Sequence, residues 1–277
     1  MKLTVIGAGP AYTDRPGAVG SSYLLTEGDT NLLLDLGHGA FSNLAGRIEP
    51  STLTGVAITH LHPDHFIDLV PLRHYLRYEF EPPRRLPLMA PRALTERLDA
   101  LLGQTGFTAD SFDIEALCER RTRQFGPLLI EARRVTHTDD SYAFRVSPAE
   151  SAGFEVLVGN LRVGSGGSTG LGFGATGLVY SGDCGRAADL RPLIRPGDIL
   201  LSEVSFGIGP VSKGAQHMDA TDVGELARET GPSRILLTHL LSGRDRADTV
   251  ATVTAASGGI AAHLLSLIHI SEPTRPY

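Results

Sequence analysis

ITHLHPDH, Ile58–His65, sets three histidines and an aspartate within six positions, directly behind a short apolar run. The whole chain holds only ten histidines, so three in one octapeptide need a physical reason. A lone histidine at a strand end is ordinarily a packed residue whose ring nitrogens are satisfied locally. Here alternation along His60, Leu61 and His62 projects both imidazoles to one side, and the turn at Pro63 carries Asp64 and His65 toward a second position nearby. Further along, His137 (VTH), Asp183 (YSGD) and His239 (LLTH) each close an apolar run, where the strands of a sheet pair present side chains to a common rim. Burying that many imidazoles and carboxylates costs on the order of several kcal/mol per uncompensated ion. A pair of divalent cations removes the conflict.

Around this motif the chain alternates strand and helix patterns. Apolar runs at 2–7, 21–28 and 31–37, separated by Gly, Pro and Asp turn signals, predict a strand meander. A short helix over 40–48, a buried strand over 55–60 and a helix carrying Phe66, Leu69, Leu72 and Leu76 on one face follow. The motif thus falls at a strand-to-helix junction. Residues 86–90 and 91–104 read as a strand and a Pro-started helix, and 128–137 with 142–146 as a hairpin. The last third alternates strands (177–183, 198–205, 234–239) with a helix over 220–231. The stretch 159–177 holds eight glycines in nineteen residues, which predicts a flexible loop or long hairpin tip.

Composition bounds the function. The 277 residues suffice for one large α/β domain, expected over 1–264, and no apolar run approaches the roughly 20 residues of a membrane span. A net charge of -6 argues against broad, salt-driven nucleic-acid binding. Arg73, Arg77, Arg84 and Arg85 form a local basic patch, read either as a site for one phosphate or as a solvated helix face. Two cysteines and the absence of a signal-type apolar stretch at the N-terminus point to a reducing cytoplasm. The oligomeric state is open, a homodimer included. LSLIHISEPTRPY (265–277) resembles the translation of a sequencing-library adapter and is expected to be a non-native tail. On that reading His269 has no role, and a native last strand after GGIAAHL is missing.

VIGAGPA (5–11) resembles a dinucleotide-binding turn, but the third glycine of GxGxxG would be Tyr12, and Pro and Gly follow where a helix should begin. It reads instead as a first strand ending in a glycine turn whose backbone passes near the active site.

His60, His62, Asp64 and His65 match the HxHxDH signature in full, and His137, Asp183 and His239 follow in order, so residues 1–264 resemble the metallo-β-lactamase superfamily. The resemblance implies a four-layer αββα sandwich with a dinuclear site at one edge. It assigns His60, His62 and His137 to one cation, Asp64, His65 and His239 to the other, and Asp183 to both. Nitrogen and carboxylate donors without thiolate suit zinc, with manganese or iron also compatible, and Cys184 is expected to pack as a small residue. Such cations lower the pKa of a bound water from 15.7 to about 7, which makes hydrolysis the expected chemistry.

Which hydrolysis it is depends on residues outside the ligands. QHMDATDVGELARETGPSRILLTH (216–239) resembles the ribonuclease Z-like and cyclic-nucleotide phosphodiesterase branch, in which a histidine precedes the helix leading to the last ligand strand. His217 matches it, as a proton donor to the leaving oxygen or a stabiliser of phosphoryl charge, with a loop histidine before an N-cap as the plain alternative. Glu203 stands where that branch has a glutamate and would orient His217. Asp68 stands where the glyoxalase II-like branch has glycine, which disfavours a thioesterase. Ribonuclease Z carries a long tRNA-gripping arm, whereas His137 and Asp183 are 46 positions apart and 156–177 contain one arginine. The expected substrate is therefore a small phosphodiester such as a cyclic nucleotide, with Arg73 or Arg77 as candidate phosphate holders. A tRNA 3′-end endonuclease, a lactonase or thioesterase, and a non-catalytic scaffold are the alternatives.

Overall fold

The computed structural model describes residues 1–13, 15, 17–138, 140–148, 155–158, 161–162, 177–211 and 214–265. Most of the glycine-rich stretch and residues 266–277 lie outside them. The first half supplies β1 (Lys2–Gly7), β2 (Ser22–Glu27), β3 (Thr30–Leu34), α1 (Ala40–Ala45), β4 (Gly55–Ala57), α2 (Pro63–Phe66), α3 (Leu69–Tyr78), β5 (Leu86–Ala90), α4 (Leu94–Leu102) and β6 (Phe112–Ala116). There follow β7 (Thr122–Phe125), β8 (Leu128–Arg134), β9 (Tyr142–Pro148), β10 (Glu155–Val158), β11 (Leu161–Arg162) and β12 (Leu178–Tyr180). The chain continues with β13 (Ile199–Glu203), α5 (Ala220–Thr230), β14 (Arg234–Thr238), α6 (Arg246–Ala256) and β15 (Ala262–Leu264). They form an eight-stranded sheet, β11-β10-β1-β2-β3-β4-β5-β6, and a seven-stranded sheet, β15-β14-β13-β12-β9-β8-β7.

Alternation along the strands decides the layers. Leu3, Val5, Tyr23, Leu25, Leu32, Leu34, Ala57 and Met89 of the first sheet share one core with Leu128, Ile130, Phe144, Val146, Tyr180, Leu201 and Leu236 of the second. Their neighbours Ile6, Leu24, Leu33, Val56 and Leu88 face the other way, against Leu44, Leu69, Leu72, Leu76, Leu94 and Leu98 of the helices. Val179, Leu200, Ile235 and Leu237 likewise pack on Val223, Leu226 and Val253 of α5 and α6. Helices, sheet, sheet and helices are the four expected layers. Strands covered on both faces read as unbroken apolar runs, which is why NLLLD and RILLT look as they do. Each fully buried leucine contributes about 1.5–3 kcal/mol to the sandwich.

Each sheet has an antiparallel and a parallel part. β3 to β6 are parallel neighbours, as are β12 to β15. Parallel pairs need crossovers, which α1, α3 and α4 provide in the first sheet and α5 and α6 in the second. The C-terminal ends of β4, β8, β12, β13 and β14 carry the chemistry-bearing residues.

Several details depart from the sequence reading. The helix expected to run on from the motif is split into α2 and α3 because Pro71 lacks the N–H that a continuous helix would bond to Ile67. Asp68 at the break accepts the Phe41 N–H at 2.8 Å and ties the segment to α1. β4 stops at Ala57 because the Thr59 N–H turns to the Asp35 carboxylate, 2.7 Å away. β6, β7, β10, β15 and α6 were not expected. At the far end Ala262–Leu264 is itself the edge strand, and Leu265 still bonds Leu237 at 2.8 Å. Arg145 of β9 forms a buried two-pronged ion pair with Asp198, Nε to Oδ2 at 2.8 Å and Nη2 to Oδ1 at 2.9 Å.

Candidate metal centre

The loop after β4 turns through His60 to His65 into α2 and is clamped from behind. Ser21 N–H bonds the Asp64 carbonyl at 2.8 Å, and Leu36 N–H the His65 carbonyl at 2.8 Å. The approach requires glycine: a Cβ on Gly37 would lie 1.9 Å from the Asp64 carbonyl oxygen. The glycine turn after β1 does pass beside the centre, since the Ala8 carbonyl accepts the N–H of His239 at 3.3 Å. His239 itself adopts a left-handed φ of 58°, a region that among non-glycine residues asparagine, aspartate and histidine enter most readily.

All seven candidate ligands converge. His60, His62, His137 and Asp183 form one group, and Asp64, His65, Asp183 and His239 a second, with donor atoms within 4.8 Å of one another in each. Asp183 belongs to both. Its Oδ2 lies 3.7 Å from His60 Nε2, 3.6 Å from His137 Nε2 and 3.5 Å from His239 Nε2, and its Oδ1 lies 3.3 Å from His65 Nε2.

Outer partners fix the imidazole protons. Asp35, fully buried, accepts His65 Nδ1–H at 2.7 Å, the Tyr180 hydroxyl at 2.7 Å and the Thr59 hydroxyl at 2.8 Å. With its proton so engaged, the Thr59 oxygen is left to accept from His60 Nδ1, 3.1 Å away. His137 Nδ1–H donates to the Gln216 carbonyl at 2.8 Å. Ser205 donates to Glu203 at 2.5 Å and accepts from His239 Nδ1 at 2.9 Å. In His60, His65 and His137 the proton therefore sits on Nδ1 and Nε2 is the atom turned toward the candidate cation positions, the arrangement that outer hydrogen bonds impose at metal sites, while His239 Nε2 lies 3.0 Å from Asp64 Oδ2. His62 Nδ1 faces His137 Nε2 at 3.1 Å.

The donor set suits a pair of cations. His60 Nε2, His65 Nε2 and Asp183 Oδ1 are buried without a hydrogen-bond partner, a costly state unless something binds there. Burial pushes the pKa values of His60, His62 and His137 down, which keeps those rings neutral. Burial works against the charge on Asp64, yet the His239 hydrogen bond and the neighbouring imidazoles carry its pKa down to about 2. Burial also opposes charge on His65, but Asp183 and Asp35 outweigh it and raise its pKa. A cation takes the place of the second proton those carboxylates attract.

His217 sits beside this cluster. Its Nδ1 is 3.0 Å from Glu203 Oε1, and this partner raises its pKa against the opposing effect of burial. Glu203 is fully buried and also accepts the N–H groups of Cys184 and Ser205, each at 3.0 Å. So encased, Glu203 is held against His217 Nδ1. Cys184 packs in the apolar layer under α5, its thiol pKa raised by burial. Arg73 is not a phosphate holder: it is buried, and its fork is spent on the Phe107 carbonyl and Asp110, each at 2.9 Å. Arg77 shares Asp110 at 3.1 Å. Sequence reading missed Asp35, Ser205 and the clamp at Gly37; the signal for Asp35 was an acid closing the apolar run Leu32–Leu34.

A sequence profile described as Anti-Pycsar protein Apyc1 matches residues 1–255. The uncharacterised Mycobacterium leprae protein ML1173 is 28% identical over 265 residues, covering 94% of this chain and 84% of its own. YhfI of Bacillus subtilis, described as a probable metallo-hydrolase, is 26% identical over 245 residues and 87% of both chains. Ribonuclease Z of Oceanobacillus iheyensis is 24% identical over 286 residues, 91% of this chain and 93% of the enzyme. The crystal structure of YhfI, a metallo-β-lactamase fold protein, superposes with a TM-score of 0.74 at 24% identity, covering 95% of this chain and 94% of YhfI. The two-sheet sandwich is that fold.

Proposed function

Because the chain belongs to the Anti-Pycsar protein Apyc1 family and is a metallo-hydrolase of ribonuclease Z-like ancestry, we propose that it is a phosphodiesterase acting on a small phosphodiester such as a cyclic nucleotide. One observation carries the reading: His60, His65 and His137, each with its Nδ1 engaged by an outer partner, turn their Nε2 atoms toward the shared Asp183, with His239 and His217 alongside. His60, His62, His137 and Asp183 would hold one cation, and Asp64, His65, Asp183 and His239 the other; zinc suits these donors best. When bound, such a pair supplies a nucleophile at neutral pH and offsets charge on the phosphoryl oxygens.

The chain's own residues do the rest. Asp35, Thr59, Gln216 and Ser205 hold the ligand rings against rotation. Glu203 fixes His217 Nδ1, and Nε2, which has no protein partner among the described residues, is the atom from which a proton passes to the leaving oxygen. A small substrate is favoured by the net charge of -6 and by the single arginine within 156–177, which would neutralise few RNA phosphates. Two free cysteines suit a reducing cytoplasm.

Turnover of cyclic nucleotides, a tRNA precursor, a lactone and a thioester by Zn- and Mn-loaded protein tests this. Cyclic nucleotides should be cleaved, and His217→Ala should slow them by about 10²-fold or more while sparing a substrate with a good leaving group. Faster turnover of the thioester or lactone, unaffected by His217→Ala, would sink the proposal.

A further inference from the structure

Of the candidate ligand rings, His62 alone has no hydrogen-bond partner outside the centre among the described residues. Its Nδ1 faces His137 Nε2 at 3.1 Å, whereas His60, His65, His137 and His239 each meet an outer group through Nδ1. The aim of the His62 ring therefore depends on the backbone that carries it. On the far side Pro63 confines that backbone to the extended region, and His62 has a ψ of 142°. On the near side the rigid peptide unit joining Leu61 to His62 sets the direction, and the Leu61 carbonyl belongs to that unit.

A guanidinium from another element takes hold of this carbonyl. Arg97 of α4, 36 positions along the chain, donates from Nη1 to the Leu61 oxygen at 2.6 Å. Leu94 and Leu98 of the same helix pack in one apolar cluster with Leu61. Packing sets how close α4 comes, whereas a charge-assisted hydrogen bond sets how the peptide plane is turned. Just before α4 the Arg92 N–H donates to Asp140 Oδ2 at 3.1 Å, and Asp140 Oδ1 accepts from Arg134 at 2.8 Å and from the Tyr142 hydroxyl at 2.7 Å. Asp140 lies in the turn that follows His137. The start of α4 thus grips both segments that supply His60, His62 and His137, while His65 and His239 lean on Asp35 and Ser205.

Resting on the dinuclear metallo-hydrolase reading, we propose that Arg97 is a positioning residue for the cation position formed by His60, His62, His137 and Asp183, holding His62 on target through its backbone. Removing the guanidinium frees the Leu61–His62 peptide to turn, and the swing is carried to the ring at its end. The effect falls on one half of the centre, because His65 and His239 at the other position have outer partners on their own rings. Arg97 is exposed, so replacing it leaves the core undisturbed. Lysine keeps a single charged donor group on a flexible stem without the planar fork, so Arg97→Lys should restore part of the hold that Arg97→Met loses.

Dialysis of the Zn-loaded protein against graded chelator, with metal analysis at each step, tests this. Arg97→Met should release its first cation at about tenfold higher free Zn²⁺ than the wild type, with Arg97→Lys in between. Nitrogen-15 spectra of the histidine rings identify the emptied half: His60, His62 and His137 should lose their metal-bound signals first, while His65 and His239 keep theirs. A merely structural role for Arg97 would instead lower the melting temperature of the metal-free protein and loosen both cations in step, and that result overturns the inference. So does a variant that releases zinc as the wild type does, or one that empties His65 and His239 first. A wild type that never holds a pair of cations sinks the dinuclear reading itself, and this inference with it.

Discussion

Asp35→Asn is the sharpest probe of the metal centre, because it changes one atom and leaves the backbone at rest. Asparagine tolerates the left-handed φ of 56° that Asp35 adopts. The amide oxygen must stay on the Thr59 side, where it accepts the backbone N–H now bonded at 2.7 Å, since that donor cannot rotate away. The new NH₂ then faces His65 Nδ1 and the Tyr180 hydroxyl, both at 2.7 Å from the oxygen it replaces. Tyr180 can turn its hydroxyl and accept. His65 escapes a donor–donor clash by moving its proton from Nδ1 to Nε2, the atom meant for the cation. Removing a charged hydrogen bond of this kind costs about 1.5–3 kcal/mol, and outer-shell substitutions weaken metal binding by about 10- to 100-fold. Titration with a chromophoric chelator, followed by metal analysis, should show one of two cations lost from the variant at chelator levels that leave the wild type loaded. A variant holding both cations as tightly as wild type would refute the tautomer argument.

Other expectations follow from the same geometry. Chelation should lower the melting temperature and Zn²⁺ or Mn²⁺ should restore it; a site at 100 times its Kd in free cation contributes about 2.7 kcal/mol, so an unchanged melting curve would speak against binding. Gly37→Ala should displace the Asp64 backbone, given the 1.9 Å approach, with metal content falling while the far-ultraviolet dichroism stays native. Arg145→Met takes the guanidinium away from buried Asp198 and should cost about 3–5 kcal/mol in urea unfolding, without changing metal stoichiometry.

Four of the candidate ligand positions were legible because each ends an apolar run on a residue that such a run has no reason to carry. His60, His137, Asp183 and His239 all share that mark. Asp35 carried it too, in NLLLDLG, but its partners His65, Thr59 and Tyr180 are distant in sequence and gave it no local meaning. Ser205 and Gly37 work through contacts that only the folded chain brings about. β6 and β7 lack a continuous apolar run because they lie at sheet edges, and TRQF buries only its phenylalanine. α6, with its repeated threonine, alanine and valine, has no marked polar face to announce a helix. Arg73 was misjudged because its charge suggested solvent, while a carbonyl and a carboxylate receive it inside.

The two candidate ligand groups each take residues from both sheets, and His239 enters only on β14, late in the chain. During synthesis, the histidines of the opening octapeptide leave the ribosome long before the partner that closes their cage. A nascent chain that has not yet reached β14 thus has a half-built cage with little hold on metal, and the candidate centre closes only once β14 has been made.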